Sequence, residues 1–491
     1  MTDYDHAANP TVRFGRLQHR GLLLGFSGAR VVCIALAVSV ATPAVFVGGT
    51  FGIAITGPLW VTLLALVFVP WGGKPAIETL PTAAHFGVRR LLGQLSFRSR
   101  PAAPRPSGTL ALPGDAASLR FHLDDLSGAA MLHDPHAGTL TAVALVRHPA
   151  YVLLSPDEQS RRVNGWGRAL AGLAAQGTCA RVQVLEIALP DSGRGITAWW
   201  EEHRRTDAPD WTLREYQELM RTCAPAASTH RTLVAVSLDT RKAGRAIRDA
   251  GRGMRGAAAV LRQDMRALEA GLREAELQLT SWLDEGSLAE TLRGAFDPAG
   301  MLSLDGTSAG RRLETAGPVA IEEHWDHLRH DSAYSAVLWI TEWPRIDVTP
   351  SFLHGLVFQQ GVRKTISITA TPLTTAQAMR DIRKAKVEYV TDSAQKARIG
   401  TIADQSDAQE LSDVFDRERA LIAGHADLRF TGLIAVMAPT TAVLDPALPQ
   451  GQSTATQRDR RIRTLLDQSP QALHPRALAT PPQPCPPPVC T

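Results

Sequence analysis

Between Val31 and Val69 the chain runs 39 residues without a charge, whereas the sequence beyond Pro75 mixes apolar and polar positions at helix or strand spacing. The uncharged run is nearly twice the roughly 20 residues a helix needs to cross the hydrocarbon core of a bilayer. It divides at Gly48-Gly49-Thr50 into Val31–Val47 and Phe51–Val69, so the pattern predicts a tight transmembrane helical hairpin. Pro43 and Pro58 are tolerable in such helices, and Trp71 and Trp60 suit the membrane interface. A cleaved signal peptide would have a shorter apolar core, and here a second apolar run follows at once.

Downstream the periodicity changes. Residues 71–108 read as a solvated basic juxtamembrane linker anchored by anionic lipid, with a helix from Pro81 to Leu95. Thr139–Leu154 suits two strands broken at His148-Pro149, and Ser155-Pro156-Asp157-Glu158 starts a helix that stops near Gly177. Ala180–Leu189 alternates as a strand, Trp211–Cys223 is helical, and Arg231–Leu238 is a buried strand. Met254, Ala258, Leu261, Met265, Leu268, Leu272, Ala275, Leu279 and Trp282 then recur at spacing four and three, which predicts one long amphipathic helix over 253–283. Such a stripe fits a coiled coil with a partner, or a helix packed on its own domain; Ala258, Ala275 and Gly271 favour the second. Further on, Ala333–Thr341, Lys364–Thr371 and Leu428–Met437 read as strands. Pro350–Gln360, Thr375–Val390, Asp407–Ala423 and a short basic segment, Arg458–Leu466, read as helices.

The expected fold class is α/β (α+β): a two-helix membrane hairpin and a body of two ferredoxin-like, split βαβ units. The divisions are a basic N-terminus (1–30), the hairpin (31–70), the linker (71–108), a first α/β unit (109–296), a glycine-rich loop (297–318), a second unit (319–445) and a proline-rich, disordered tail (446–491).

Charge fixes the expected orientation. Arg13, Arg16, Arg20 and Arg30 precede the hairpin, and Lys74, Arg89, Arg90, Arg98 and Arg100 follow it, while its turn is uncharged. The positive-inside rule therefore places both ends in the cytoplasm, in a multi-pass protein of the plasma (inner) membrane. Composition adds little: 44% hydrophobic, 20% charged and a net +4 allow a sizeable core and give no reason to expect a nucleic-acid coat. Direct contact of the basic segments with nucleic acid stays open. Five scattered cysteines fit a reducing compartment and show no zinc spacing.

Three motifs invite a catalytic or metal reading. Gly306-Thr307-Ser308-Ala309-Gly310 fits the nucleophile-elbow expression, which would make Ser308 a nucleophile, but it lacks a core strand before it and a helix after it. Gly251-Arg252-Gly253-Met254-Arg255-Gly256 fits the dinucleotide fingerprint, yet the helical segment Arg241–Ala250 separates it from its strand. His324, His327 and His330 lie three apart in what reads as a solvated helix, a spacing that drifts around the axis and does not converge on one metal. There is no phosphate-cradling Gly-x-x-x-x-Gly-Lys-Ser/Thr. The expectation is a non-enzyme without catalytic, cofactor or metal residues.

Trp71-Gly72-Gly73-Lys74-Pro75 with Glu78-Thr79-Leu80-Pro81, behind a basic N-terminus and a two-span hairpin, resembles membrane proteins of actinobacterial conjugative elements. Their N-terminal part is similar to the PrgI-type subunit of type IV secretion machines. Arg161–Gly167, Ala180–Glu186 and Pro190–Gly193 fit the same pattern, and the second unit, with Trp343-Pro344 and Ile366–Pro372, resembles the domain that precedes the motor in conjugative traffic ATPases. The resemblance implies a membrane-anchored scaffold of a conjugation or type IV-like apparatus. Its partners would be the lipid bilayer, a separate motor ATPase, other membrane subunits and, as a homo-oligomer, further copies of itself. The alternatives are a subunit of a type VII secretion complex, which also uses a two-span protein with a soluble domain, and a membrane-anchored serine hydrolase acting through Ser308.

Overall fold

The strand read as buried, Arg231–Leu238, lies inside one large sheet and is covered on both faces, which is why it carries so little polar alternation. The computed structural model describes residues 27–71, 74–100, 106–148, 151–190, 194–204, 207, 209–223, 228–300, 312–340, 343–344, 348–358, 363–399, 405–423, 425–444 and 462–464.

The apolar segment is α1 (Gly28–Phe68), with helical geometry broken at Gly49 (φ 55°, ψ −141°), a conformation open to glycine and costly for other residues. By length and composition it is a candidate membrane span, and it is apolar around its whole circumference. The hydroxyls of Thr42, Thr56 and Thr62 donate to the carbonyls of Val38, Gly52 and Pro58 one turn back, so none needs water. After α1, the two-residue strands β1 (Pro70–Trp71) and β2 (Lys74–Pro75) form a clip that leads into α2 (Ala76–Leu91). This helix starts earlier than Pro81 and includes that proline.

Three short strands follow: β3 (Ser96–Arg98), β4 (Arg120–Leu123) and β5 (Ala130–Asp134). Then come β6 (Thr139–Arg147), α3 (Pro156–Ala175), β7 (Cys179–Pro190), α4 (Arg194–His203), α5 (Asp210–Cys223) and β8 (Ser228–Asp239). Ser155 caps α3 in a full capping box with Glu158. Next are α6 (Gly244–Asp249), α7 (Gly253–Glu274), β9 (Gln278–Trp282), α8 (Glu285–Phe296), β10 (Ala320–Glu323), β11 (Leu328–His330) and β12 (Ala333–Ile340). The last run is α9 (His354–Val357), β13 (Arg363–Pro372), α10 (Thr375–Ile399), α11 (Gln405–Ile422), β14 (Leu428–Ala438) and β15 (Ile462–Thr464).

Strands β3 to β15 form one 13-stranded sheet in the order β3-β10-β11-β12-β14-β13-β7-β8-β6-β5-β4, with β15 on β12 and β9 on β6. Every strand pairing among the described residues is antiparallel, so the body is mixed α+β on an antiparallel sheet. The two stretches read as separate α/β units join where β7 pairs β13, from Val182↔Ala370 to Ile187↔Thr365. Each stretch holds three consecutive long strands of which the last lies between the other two: β8 between β6 and β7, and β14 between β12 and β13. A buried hydrogen bond from Gln183 Nε2 to Ser367 Oγ (2.7 Å) crosses the join.

Alternation along β8 shows how both faces fill. Val234, Val236 and Leu238 enter a core with α3 and α7, while Leu233 and Ala235 enter one with α8. A third core surrounds β12, β13 and β14.

Several expectations need correction. The helix over 253–283 ends at Glu274. Glu276 takes φ 55°, its N–H reaches Arg273 O and that of Leu277 reaches Leu272 O, a Schellman closure. Leu279 and Trp282 keep the heptad phase but lie on β9, where the Trp282 Nε1–H donates to Glu269 at 2.6 Å. The stripe is no coiled-coil seam: Ala258, Leu261, Met265, Leu268 and Leu272 are buried within the chain's own core, largely against α3 and the sheet. The histidine-bearing segment 320–330 is a β-hairpin (β10–β11), because Ile321, Leu328 and His330 turn inward at strand alternation. Pro350–Gln360 yields only the one turn of α9, and within Arg458–Leu466 the described residues Ile462–Thr464 are a strand on β12.

Candidate functional site: the junction between apolar helix and sheet

The residues that connect the apolar segment to the body form a run of polar and aromatic contacts. Ser27 Oγ donates to Glu78 Oε1 at 2.7 Å, and Arg30 Nε lies 3.4 Å from the same oxygen. The start of α1 and the first turn of α2 are thereby held together, the carboxylate also facing the positive end of α2. The other end of α2 is fixed to the sheet. Arg89 Nη2 sits 2.8 Å from Glu323 Oε2 with both side chains mostly covered, and Phe86 meets Trp325 edge to face at 5.3 Å. Then β3 adds to β10, with Ser96, Phe97 and Arg98 opposite Glu322, Ile321 and Ala320. The segment read as a solvated linker is thus partly docked on the sheet.

Behind the hairpin lies a second knot. Arg293 of α8 reaches Gly317 O (2.9 Å), Asp297 (2.7 Å) and Asp331 (2.9 Å). Asp331, at φ 30°, accepts the backbone N–H groups of Val319 and Ala320. His330 is buried, with Nδ1 2.5 Å from Phe296 O and Nε2 against Ser335 Oγ. A carbonyl only accepts, so Nδ1 carries the proton and Nε2 accepts from the serine. Burial holds this imidazole below its ordinary value, in keeping with a neutral, structural ring.

The motifs singled out in the sequence scatter. Ser308 lies outside the described residues. In Gly251–Gly256 the first two residues lie between α6 and α7 and the other four begin α7, so the motif follows a helix and not a strand. Arg252 N–H closes α6 on Ile247 O, and a Cβ at Gly256 would lie 2.4 Å from that same carbonyl, so this glycine permits a tight corner. His324 and His327 stack at the hairpin turn (4.5 Å between ring centres), while His330 faces the core. Among the described residues no group of three or more metal-binding side chains comes together.

Two buried groups near α7 are perturbed. Asp264 is pushed up to about 6 by burial, with Thr178 Oγ1 at 3.5 Å as a partial counterweight. The Cys179 thiol is pushed up to about 12, by burial first and by the nearby Asp264 second. A thiol so far from ionisation is a packing group and a poor nucleophile. Sequence reasoning missed the Arg89–Glu323 and Phe86–Trp325 contacts. Their one local signal was the strand alternation of Ile321, Leu328 and His330, obscured by the even histidine spacing.

Residues 226–340 match the family model described as "Putative type VII ESX secretion system translocon, EccE". No curated protein matches the chain. The matched stretch runs from β8 through α7 and α8 to β12, and so contains the β10–β11 hairpin on which α2 docks. The match supports a secretion-system membrane family. It does not support the PrgI-like, conjugative description, and of the readings drawn from the sequence it favours the type VII alternative.

Proposed function

We propose that the chain is a non-catalytic, membrane-anchored subunit of a type VII-like secretion complex. The observation that carries this is the family match over 226–340, in a chain whose other distinctive segment is a long apolar helix tied to the matched region through α2.

On this reading α1 is a two-span hairpin that turns at Gly49. A straight helix of its 41 residues would be about 60 Å long, and the ten residues from Val69 to Glu78 reach at most about 35 Å. Glu78 nevertheless bonds Ser27, which supports a reversal, as does the Cβ position of Gly52, only 2.4 Å from Ala44 O. The arginines on both flanks support a cytoplasmic body. A rigid sheet joined to the anchor by ion pairs suits a scaffold for a separate motor ATPase and neighbouring membrane subunits.

The test is affinity purification of the full-length protein from detergent-solubilised membranes of its own host, followed by mass spectrometry. Recovery with membrane subunits of a type VII machine supports the proposal. Recovery with conjugation proteins restores the other reading, and recovery as a solitary monomer overturns both.

A further inference from the structure

Helix α2 has two unlike faces. Thr79, Phe86 and Arg89 turn inward, toward Glu323, Trp325 and the base of α1. The opposite face repeats at spacing four, four and three through Leu80, Ala84, Val88 and Leu91, and all four are exposed, Leu91 to 89% and Val88 to 53%. Leu92 extends the row at 65% exposure. An apolar row this open on a docked helix is unexpected on a water-facing surface.

We infer that the outer face of α2 lies in the lipid headgroup region, so that α2 is an interfacial helix clamped between the bilayer and the sheet. This rests on the membrane-span reading above. Three observations select lipid as the occupant. The apolar segment ends at Phe68, and the Ser27 and Arg30 contacts to Glu78 hold α2 at its base. Exposed Arg90, Arg98 and Arg100 follow closely and suit anionic headgroups, whereas Arg89 is already engaged by Glu323. Interfacial helices bury an apolar face flanked by basic residues, as here. Because the inner face is bolted to β10 and β11, lipid contact along α2 would fix the tilt of the whole sheet against the membrane.

The test uses the full-length chain without its native cysteines, in vesicles of equal parts phosphatidylcholine and phosphatidylglycerol. An environment-sensitive NBD label is placed singly at Val88→Cys, Leu91→Cys, Val38→Cys midway along the first span of α1, and Gly167→Cys on the exposed side of α3. Lipids with a nitroxide near the headgroup should quench Val88→Cys and Leu91→Cys and spare Gly167→Cys, while a mid-bilayer nitroxide quenches Val38→Cys. Quenching at Val38→Cys without quenching at Val88→Cys and Leu91→Cys overturns the inference and leaves the span intact; a blue-shifted but unquenched label there assigns the face to a protein partner. Loss of quenching at Val38→Cys as well overturns the span reading itself.

Discussion

Helices α3 and α7 cross at a distance that only small residues allow, and this makes Gly271 a sharp probe of the packing. A Cβ at Gly271 would stand 2.5 Å from the Ala169 Cβ and 2.9 Å from its Cα. Carbon atoms pack at about 3.5–4.0 Å, so Gly271→Ala forces the helices apart by about 1 Å. Overpacking of this kind costs about 1–3 kcal/mol, and the alanine returns about 1 kcal/mol of helix propensity. The net expectation is a loss of about 1 kcal/mol, or roughly 2–4 °C in Tm. The decisive comparison is Gly271→Ala with Ala169→Gly, which moves the methyl from α3 to α7. Alone, Ala169→Gly costs about 1 kcal/mol. The double variant loses the 2.5 Å contact but keeps the 2.9 Å approach to the Cα of residue 169, so it should recover part of the loss, with a favourable coupling of about 1 kcal/mol. Thermal unfolding of the detergent-purified chain, followed by tryptophan fluorescence, measures all four proteins. Additive single effects, or a Gly271→Ala variant more stable than wild type, would refute the close crossing and return α7 to a partner helix.

Further tests concern charge and chemistry in the body. Asp264 is raised from 3.8 to about 6, so the unfolded chain ionises first and stability falls as pH rises from about 4 to about 6. Asp264→Asn should remove that slope and raise Tm at pH 7.5, by an amount bounded at about 3 kcal/mol; an unchanged pH–Tm curve contradicts the buried carboxylate. Cys179, 3% exposed and raised to about 12, should resist maleimide at pH 8 in the folded chain and react once denatured; rapid labelling of the native protein would exclude its burial. Arg89→Ala leaves Glu323 mostly covered without its cation, which should cost about 3 kcal/mol. Limited proteolysis between α2 and β3 should accelerate in that variant, and an unchanged cleavage rate would deny the clamp.

The fold was legible wherever local pattern and final environment agree. The alternation of Val182, Val184 and Ile187 gave β7, and Ser155 with Glu158 gave the start of α3, because the cap forms within one turn. Leu279 and Trp282 misled. They continue the helical phase of α7, and the chain leaves the helix through a left-handed glutamate, Glu276, where a glycine would have announced the stop. The single sheet was not legible, since the pairing of Ile366 with Glu186 joins distant segments and leaves no local trace. The same holds for the junction: Arg89 and Glu323 meet only after the intervening strands are in place. That the Gly251–Gly256 fingerprint lacks its strand was readable from the helical segment before it, as was the apolar segment from its missing charges.

The most direct measurement is the partition of the intact chain after an alkaline carbonate wash of host membranes and ultracentrifugation. Anchoring by α1 predicts that the full-length protein stays in the pellet and that a version lacking residues 28–68 moves to the supernatant. Release of the uncleaved full-length protein into the supernatant would contradict the account at its base.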